Sequence, residues 1–382
     1  MWRQGEALGA LDIGGKVSSL TAKAACGGSA AHPHDGGVKE MTSLNAPPSF
    51  ASRELLQWSA SSTPAAFALA AKESSVVPPA GLLVVYKKSK LDLYVKDHSS
   101  AHVRKLLDEG SAAVAQYQAA HDAHMRTLDQ VKEACQSTGL KVKTVYRARL
   151  TREMCKGRVV IAVGGDGTLL DASRKVSEAD VIGVNSDPDR SVGFLCASQG
   201  HDFAGVLQAY LDGDTPPQPI TRLFGDIDGT PLPHPVLNDV LVAHKNPAAT
   251  TSFRLRVGDD EAQLKSSGLW VCAPAGSTAA MASAGGEVQL LDDNRLQGWV
   301  REPYGTDGRA NDLTRFFCGP DDAIDVMSKV REGRLYLDGP HKVVQFPLGA
   351  KLTLHSRGPR LRLVVSAEMK QRRRQLFKDR QG

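Results

Sequence analysis

The chain has 382 residues, long enough for two domains at roughly 150 residues each. Hydrophobic residues make up 41%, and no apolar run approaches the roughly 20 residues that would span a bilayer, so the composition predicts a soluble protein with no membrane partner. The formal net charge of +5 suits an anionic ligand, but the 47 basic and 42 acidic residues are interspersed, which gives nucleic-acid binding little support.

Residues 1–78 are rich in Ala, Ser, Gly and Pro and carry no sustained helix or strand period, so a disordered or targeting segment is expected there. Acids and bases balance in it, and the Arg-rich bias of organelle signals is weak. The last residues, Asp379-Arg380-Gln381-Gly382, lack a Ser-Lys-Leu type ending. The cysteines, Cys26, Cys135, Cys155, Cys196, Cys272 and Cys318, are scattered without a CxxC pair and read as reduced intracellular thiols. A cytoplasmic location is expected, with a peroxisomal, mitochondrial or chloroplast address left open.

Order begins with the apolar β-rich run at 82–86. The spacing of Val103, Leu106, Leu107, Val114, Tyr117, His121, Leu128, Val131 and Cys135 predicts one long helix over 99–138, with Gly139 as its C-cap. Strands follow at 141–146, 158–163 and 180–184, with helices at 169–176 and 201–211. This alternation predicts an α/β domain with a parallel sheet over 79–215. A Pro-rich boundary at 213–219 leads into short strand-like runs separated by turns, the pattern of an antiparallel all-β domain over 216–350. Residues 351–382 hold two further strands and a basic tail, a candidate to return to the α/β domain.

The stretch VVIAVGGDGTLLDASRKV, 159–176, is a strand, a tight glycine turn and a helix start. Gly164, Gly165 and Gly167 would let phosphates approach backbone N–H groups at the positive end of the helix. Thr168 and Asp171 resemble a capping box with Asp in the place of Glu or Gln. Asp166 is different, because its charge would repel the phosphates. A carboxylate there fits metal binding or proton abstraction from a hydroxyl nucleophile. The Walker and GxGxxG patterns are absent from this strand.

A second constellation, CAPAGSTAAMASAGGE at 272–287, gathers hydroxyls and small residues at an Ala-rich helix start. Asn238 and Asp239, adjacent on a strand, could hold one ligand only near a strand end. His121 and His124 lie three apart without a third ligand, which favours a surface or core pair over a metal site. The basic tail at 370–374 reads as a solvated terminus.

GGDGT at 164–168, NSDP at 185–188 with SVGFL at 191–195, LND at 237–239, GSTAAM with SAGG at 276–286, VREPY at 300–304 and LDG at 337–339, in that order, resemble the NAD kinase family, above all its plant-type NADH kinases. The resemblance covers about residues 80–365. It implies an NAD kinase-like fold, an α/β domain paired with a β-sandwich that binds the dinucleotide. It implies ATP-dependent phosphorylation of the adenosine ribose 2′-hydroxyl of NADH and NAD, with Mg²⁺ accompanying ATP and a homo-oligomer, a dimer, as the assembly. Asp166 would be the general base, and Gly164, Gly165, Gly167 and Thr168 would lie near the phosphates. Asn238 and Asp239 would hold the ribose or diphosphate region, and Thr278, Ala279 and Ser283 would line the pocket. No residue is assigned as a metal ligand.

Two positions depart from the family pattern. Ala280 stands where many members have Tyr, and Ser267 precedes Gly268 where many have Asp. Without a carboxylate the site attracts the cationic nicotinamide ring less, which favours NADH over NAD⁺. The rival enzyme is a lipid kinase of the diacylglycerol or sphingosine type, which shares a GGDGT turn but needs a broad apolar acceptor surface. A dinucleotide-binding regulator without turnover is the non-catalytic rival, and the intact Asp166 argues against it.

Overall fold

A computed structural model describes residues 79–304 and 312–380. The expected disordered or targeting segment, with Cys26, and part of the run after 304 lie outside the described residues.

The first part of the chain lays down β1 (Gly81–Tyr86), β2 (Val142–Tyr146), β3 (Arg158–Gly164), β4 (Asp180–Asn185), β5 (Ser198–Gln199) and β6 (Gln218–Ile220). The apolar runs of β1, β3 and β4 are buried almost end to end, as inner strands of a sheet covered on both faces must be, with Leu82, Leu83, Val160, Ile161, Val163 and Ile182 fully enclosed. The next stretch builds two antiparallel sheets. Their strands are β7 (Phe224–Ile227), β8 (Thr230–Pro231), β9 (Asp239–His244), β10 (Thr251–Val257), β11 (Asp260–Ser266), β12 (Gly268–Cys272), β13 (Leu296–Arg301), β14 (Arg315–Cys318), β15 (Ile324–Ser328), β16 (Gly333–Leu337), β17 (Val343–Gln345) and β18 (Lys351–His355). The orders are β11-β10-β15-β18-β7-β8 and β14-β13-β12-β9-β16-β17. Here burial alternates along strands such as β10, and Phe253, Leu255, Val326 and Leu354 of one sheet share a core with Val240, Leu269, Val271 and Leu335 of the other.

The chain then returns. β19 (Leu361–Leu363) pairs parallel with β4 and antiparallel with β6, giving the first sheet the order β2-β1-β3-β4-β19-β6, with β5 on β4. β1 to β4 run parallel. The α/β and β-sandwich halves expected from the sequence are thus both present.

The helices are α1 (Ala101–Asp108), α2 (Gln116–Ser137), α3 (Arg152–Cys155), α4 (Asp166–Ser173), α5 (Phe203–Leu211), α6 (Ala280–Ser283) and α7 (Ala367–Asp379). Three differ from expectation. The single helix over 99–138 is two, because Gly110 takes φ +64°, a left-handed turn that ends α1. The helix expected at 169–176 starts earlier, at Asp166, directly on the glycine turn. The tail at 370–374 is no solvated terminus: it lies inside α7, and Arg373 is 4% exposed. No described helix is long and apolar enough to cross a membrane. The five described cysteines are free and buried.

Arg222 joins the halves at the end of α4. Its guanidinium donates to Val176 O at 2.8 Å and Ser173 O at 3.3 Å, and to Pro359 O at 2.7 and 2.9 Å. A cation on the last carbonyls of a helix complements its dipole, although burial lowers the Arg222 pKa to about 10. Arg222→Met keeps the bulk and strands these carbonyls, so its Tm is expected to fall by on the order of 5 °C in calorimetry.

Candidate active site

β3 runs at the middle of its sheet between β1 and β4 and delivers the glycine turn to their C-terminal ends. The turn needs glycine for space rather than for backbone freedom. Gly165 is extended, with φ −121° and ψ −166°. A Cβ on it would meet Ser191 Oγ at 2.6 Å, and one on Gly164 would run into Thr168, whose own Cβ would be 2.8 Å away. Gly167 faces open space. The expected capping box does not form: Gly165 occupies the N-cap, and the buried Thr168 Oγ1 has no partner. Asp171 is held by Arg147 at 3.1 Å and Arg174 at 2.5 Å.

Asp166 is the first residue of α4, and its carboxylate accepts Phe194 N–H at 3.0 Å and Leu195 N–H at 2.8 Å. The strand end at Asn185 supports the donor loop, with Asn185 Nδ2 on Ser191 O at 2.6 Å. Gly193 sits at φ +62° directly over Asn185, where a Cβ would come within 2.7 Å of its Nδ2. Arg372 of α7 donates to Val192 O and Gly193 O, both at 3.1 Å. Burial pushes the Asp166 carboxyl above the usual carboxylate range, while the Leu195 and Phe194 amides and the charges of Arg372 and Arg373 pull it back.

Asn238 and Asp239 stand where β9 begins, the strand end that adjacency demanded. The buried Asp338 carboxylate accepts Asn238 N–H at 2.7 Å and Leu237 N–H at 3.1 Å. Asp338 takes φ +49°, and its backbone N–H returns to Asp239 O at 2.9 Å. Arg174, the C-cap of α4, reaches the same residue, with Nη2 on Asp338 O at 3.1 Å and Nε 3.5 Å from its carboxylate. Asn238 Oδ1 is buried without a partner.

The second constellation is a one-and-a-half-turn 3₁₀ segment over Pro274–Thr278, broken from α6 at Ala279 with φ −99° and ψ −128°. Gly276 lies so close to the Asn238 backbone that no Cβ would fit, and Ala273 N–H donates to Asn238 O at 2.9 Å. Ser277 is structural, bonded to Pro274 O and Gln289 N–H at 2.8 Å each. Arg373 donates to Gln289 O at 2.7 Å, to Ala275 O at 3.3 Å, to Ser277 Oγ at 3.1 Å and to Pro274 O.

The fold therefore joins Asn238, Asp239 and the 274–279 segment through Asp338 and Gly276, with Arg174 at the far end of α4 from the glycine turn, while α7 ties the 274–277 turn to the loop that donates to Asp166. Thr278 Oγ1 bonds only to its own turn, at Ala275 O, 3.4 Å away. Ser283 is exposed on α6, and its hydroxyl takes no part in these bonds. Sequence reasoning missed Arg174, Arg372 and Arg373. The only available signal for the last two was the basic run at 370–374. His121 and His124 part company: His124 is buried and bonds Ser186 Oγ at 2.9 Å and Lys87 O at 2.7 Å, with burial lowering its pKa to about 4, whereas His121 is only partly buried and bonds Ser89 Oγ at 2.9 Å. Among the described residues, no three His, Cys, Asp or Glu stand together as a metal-ligand set.

The chain is similar to known proteins across this region. The family model of the ATP-NAD kinase N-terminal domain matches residues 90–215. A probable NADH kinase of Oryza sativa subsp. japonica is 35% identical over 264 residues, 63% of this chain and 81% of the rice protein. The NADH kinase of Arabidopsis thaliana is 32% identical over 266 residues, 64% of this chain and 84% of that protein. The fold is similar to that of an NAD kinase from Archaeoglobus fulgidus in complex with ATP, with a TM-score of 0.56 at 18% identity over 78% of this chain and 98% of that one.

Burial, reinforced by the Asp338 charge, raises the Asp239 pKa to about 7, and Asp239 has no side-chain hydrogen bond to offset it. Between the ordinary carboxylate range and about 7, the folded chain holds a proton that the unfolded chain lacks. Stability from this group is therefore lost as pH rises through that window. Asp239→Asn lacks the slope, so its Tm is expected to gain on the wild type by on the order of 5 °C between about pH 5 and about pH 8. A Tm difference that stays constant with pH would contradict this.

Proposed function

The chain belongs to the NAD kinase family, and from that premise we propose that it transfers the γ-phosphoryl group of ATP to the adenosine ribose 2′-hydroxyl of NADH and NAD. The observation that carries this reading is the Asp166 carboxylate, oriented at the mouth of the central sheet by two backbone amides. A lipid acceptor is set aside, because the similar proteins are named NADH kinases and the constellation beside Asn238 is a small-residue turn and not a broad apolar surface.

Each amide occupies one lone pair of Asp166 and leaves others free, so the carboxylate can accept the ribose proton without rotating. The amides fix its direction, and burial makes it a stronger base than an exposed aspartate. Gly165 N–H and Gly167 N–H, at the open first turn of α4, lie among the donors on which phosphate oxygens would rest, and the buried Thr168 Oγ1 lacks a protein partner there. The unpaired Asn238 Oδ1 and the weakly acidic Asp239 are acceptors for ribose hydroxyls. Phosphate charge at this turn would be neutralised in part by Mg²⁺ carried in with ATP, since the described residues offer no ligand set of their own. Thr278, Ala279 and Ser283 form the far wall of the dinucleotide pocket. We propose a homo-oligomer, a dimer, as the assembly and the cytoplasm as its location, with an organelle as the alternative address.

NADH is the preferred acceptor on the resemblance, which puts Ser267 where a carboxylate would attract a cationic nicotinamide; in this chain Ser267 precedes β12, at the end of that strand away from Asp239, and its N–H is used on Arg301 O at 3.0 Å. Ser267→Asp is expected to raise kcat/KM for NAD⁺ relative to NADH by about tenfold in parallel steady-state assays. An unchanged ratio would remove Ser267 from the account.

Wild type with MgATP and NADH is expected to yield NADPH, with turnover lost on EDTA treatment. Asp166→Asn should lower kcat by roughly 10²–10⁴-fold while dinucleotide binding persists. In the wild type, kcat/KM should fall as pH drops through a value above the ordinary aspartate range, because the base must be deprotonated, and the residual activity of Asp166→Asn should lack that limb. Phosphorylation of diacylglycerol alone, or dinucleotide binding without turnover, would overturn the kinase reading.

A further inference from the structure

The glycine turn has a cation that no motif announces. Lys87 directly follows β1, whose last residue Tyr86 pairs with Val163, so Lys87 is level with Gly164 across the sheet. Its Cδ lies 3.4 Å from the place a Gly164 Cβ would take, the same place that Thr168 crowds from the other side. Lysine stem and threonine hydroxyl thus converge on the first glycine of the turn. The backbone behind Lys87 is fixed, since its carbonyl accepts His124 Nε2 at 2.7 Å and that ring is 1% exposed.

The Lys87 ammonium forms no hydrogen bond or ion pair among the described residues, whereas its neighbour Lys88 pairs with Asp97 at 2.6 Å. Asp187, the carboxylate whose charge favours the Lys87 ammonium, is already engaged by Arg190 at 2.8 Å. Half-burial lowers the Lys87 pKa; Asp187 opposes this, and Arg147 and Lys90 add to it. Thr168 Oγ1, 1% exposed in its residue and without a partner, is the second unsatisfied group at this spot. A partly desolvated lysine whose stem passes the first glycine of the turn, a buried orphan hydroxyl crowding the same glycine, and the N-terminus of an eight-residue helix make a matched set for phosphate oxygens.

We propose that Lys87 is a catalytic residue that binds the β- and γ-phosphates of ATP at the glycine turn, with Thr168 Oγ1 as its partner donor. The inference rests on the kinase reading above and adds a residue to it. In the transfer, the 2′-oxygen forms the new bond to Pγ, the bond from Pγ to the ADP oxygen breaks, and the 2′-hydroxyl proton goes to Asp166. Lys87 keeps its proton throughout and offsets the charge that gathers on the departing ADP oxygen. It fills the place that the P-loop lysine holds in chains with a Walker motif.

The test compares full-length wild type, Lys87→Met, Lys87→Arg and the control Lys88→Met, with MgATP and NADH varied separately. Lys87→Met is expected to raise KM for MgATP by about tenfold or more and to lower kcat by about 10–100-fold, with KM for NADH within about twofold. Lys87→Arg should recover much of the loss in KM, and Lys88→Met should behave as wild type. Inorganic tripolyphosphate should raise the Tm of the wild type and not that of Lys87→Met, while NADH raises both. An unchanged KM for MgATP in Lys87→Met, or equal losses for both substrates, would overturn the inference. Should the wild type make no phosphorylated dinucleotide, the kinase reading fails, and the tripolyphosphate comparison still decides whether Lys87 binds phosphate. If Lys87→Met does not fold, Lys87→Arg and Lys87→Gln carry the same comparison.

Discussion

One buried carboxylate, that of Asp338, ties the start of β9 in the β-sandwich to the end of α4 in the α/β half. It accepts the N–H groups of Leu237 and Asn238 from the β-sandwich and faces Arg174 from the helix that begins at Asp166. A buried charge is tolerable only when amides and a counter-charge replace its water, and here both are supplied by segments far apart in the chain. Gly276 packs on the Asn238 backbone, so the 274–279 segment is placed through the same contact.

α7 supplies a second brace from the opposite side. Consecutive residues of one helix serve two loops: Arg372 holds the carbonyls that precede the Asp166 donors, and Arg373 holds the carbonyls of the 274–277 turn. Arginine suits both tasks, since its planar fork satisfies several carbonyls at once and keeps its charge when buried. Both cations also act on Asp166, tempering the effect of burial on its carboxyl.

What the sequence made legible was local. The run from Val159 to Thr168 reads as strand, turn and helix because its apolar residues and its glycines are neighbours, and the alternating burial of β10 and its partners likewise shows in the residue pattern. The same locality explains the misses. Thr168 and Asp171 have capping-box spacing, but Gly165 already holds the cap, and Asp171 is drawn to arginines from two elements. The periodicity over 99–138 continues through Gly110, where only the backbone angle shows the break. Arg373 sits in a run of charges that would be solvated in isolation; its carbonyl partners lie about a hundred residues earlier, beyond any pattern of spacing. The orphan groups Thr168 Oγ1 and Asn238 Oδ1 could be found only once the surrounding packing was known.

The position of β19 bears on how the chain is made. β6 joins the first sheet only through β19, and β19 is followed at once by the helix that clamps both active-site loops. Domains ordinarily fold as they leave the ribosome, N-terminal part first. Here the sandwich can close while the first sheet still lacks the strand between β4 and β6. The nascent enzyme therefore carries an open sheet edge, and no competent catalytic centre, until residues beyond 360 have emerged. Synthesis itself delays the onset of catalysis, and a polypeptide that stalls before β19 is left with an exposed parallel edge, a natural target for chaperones.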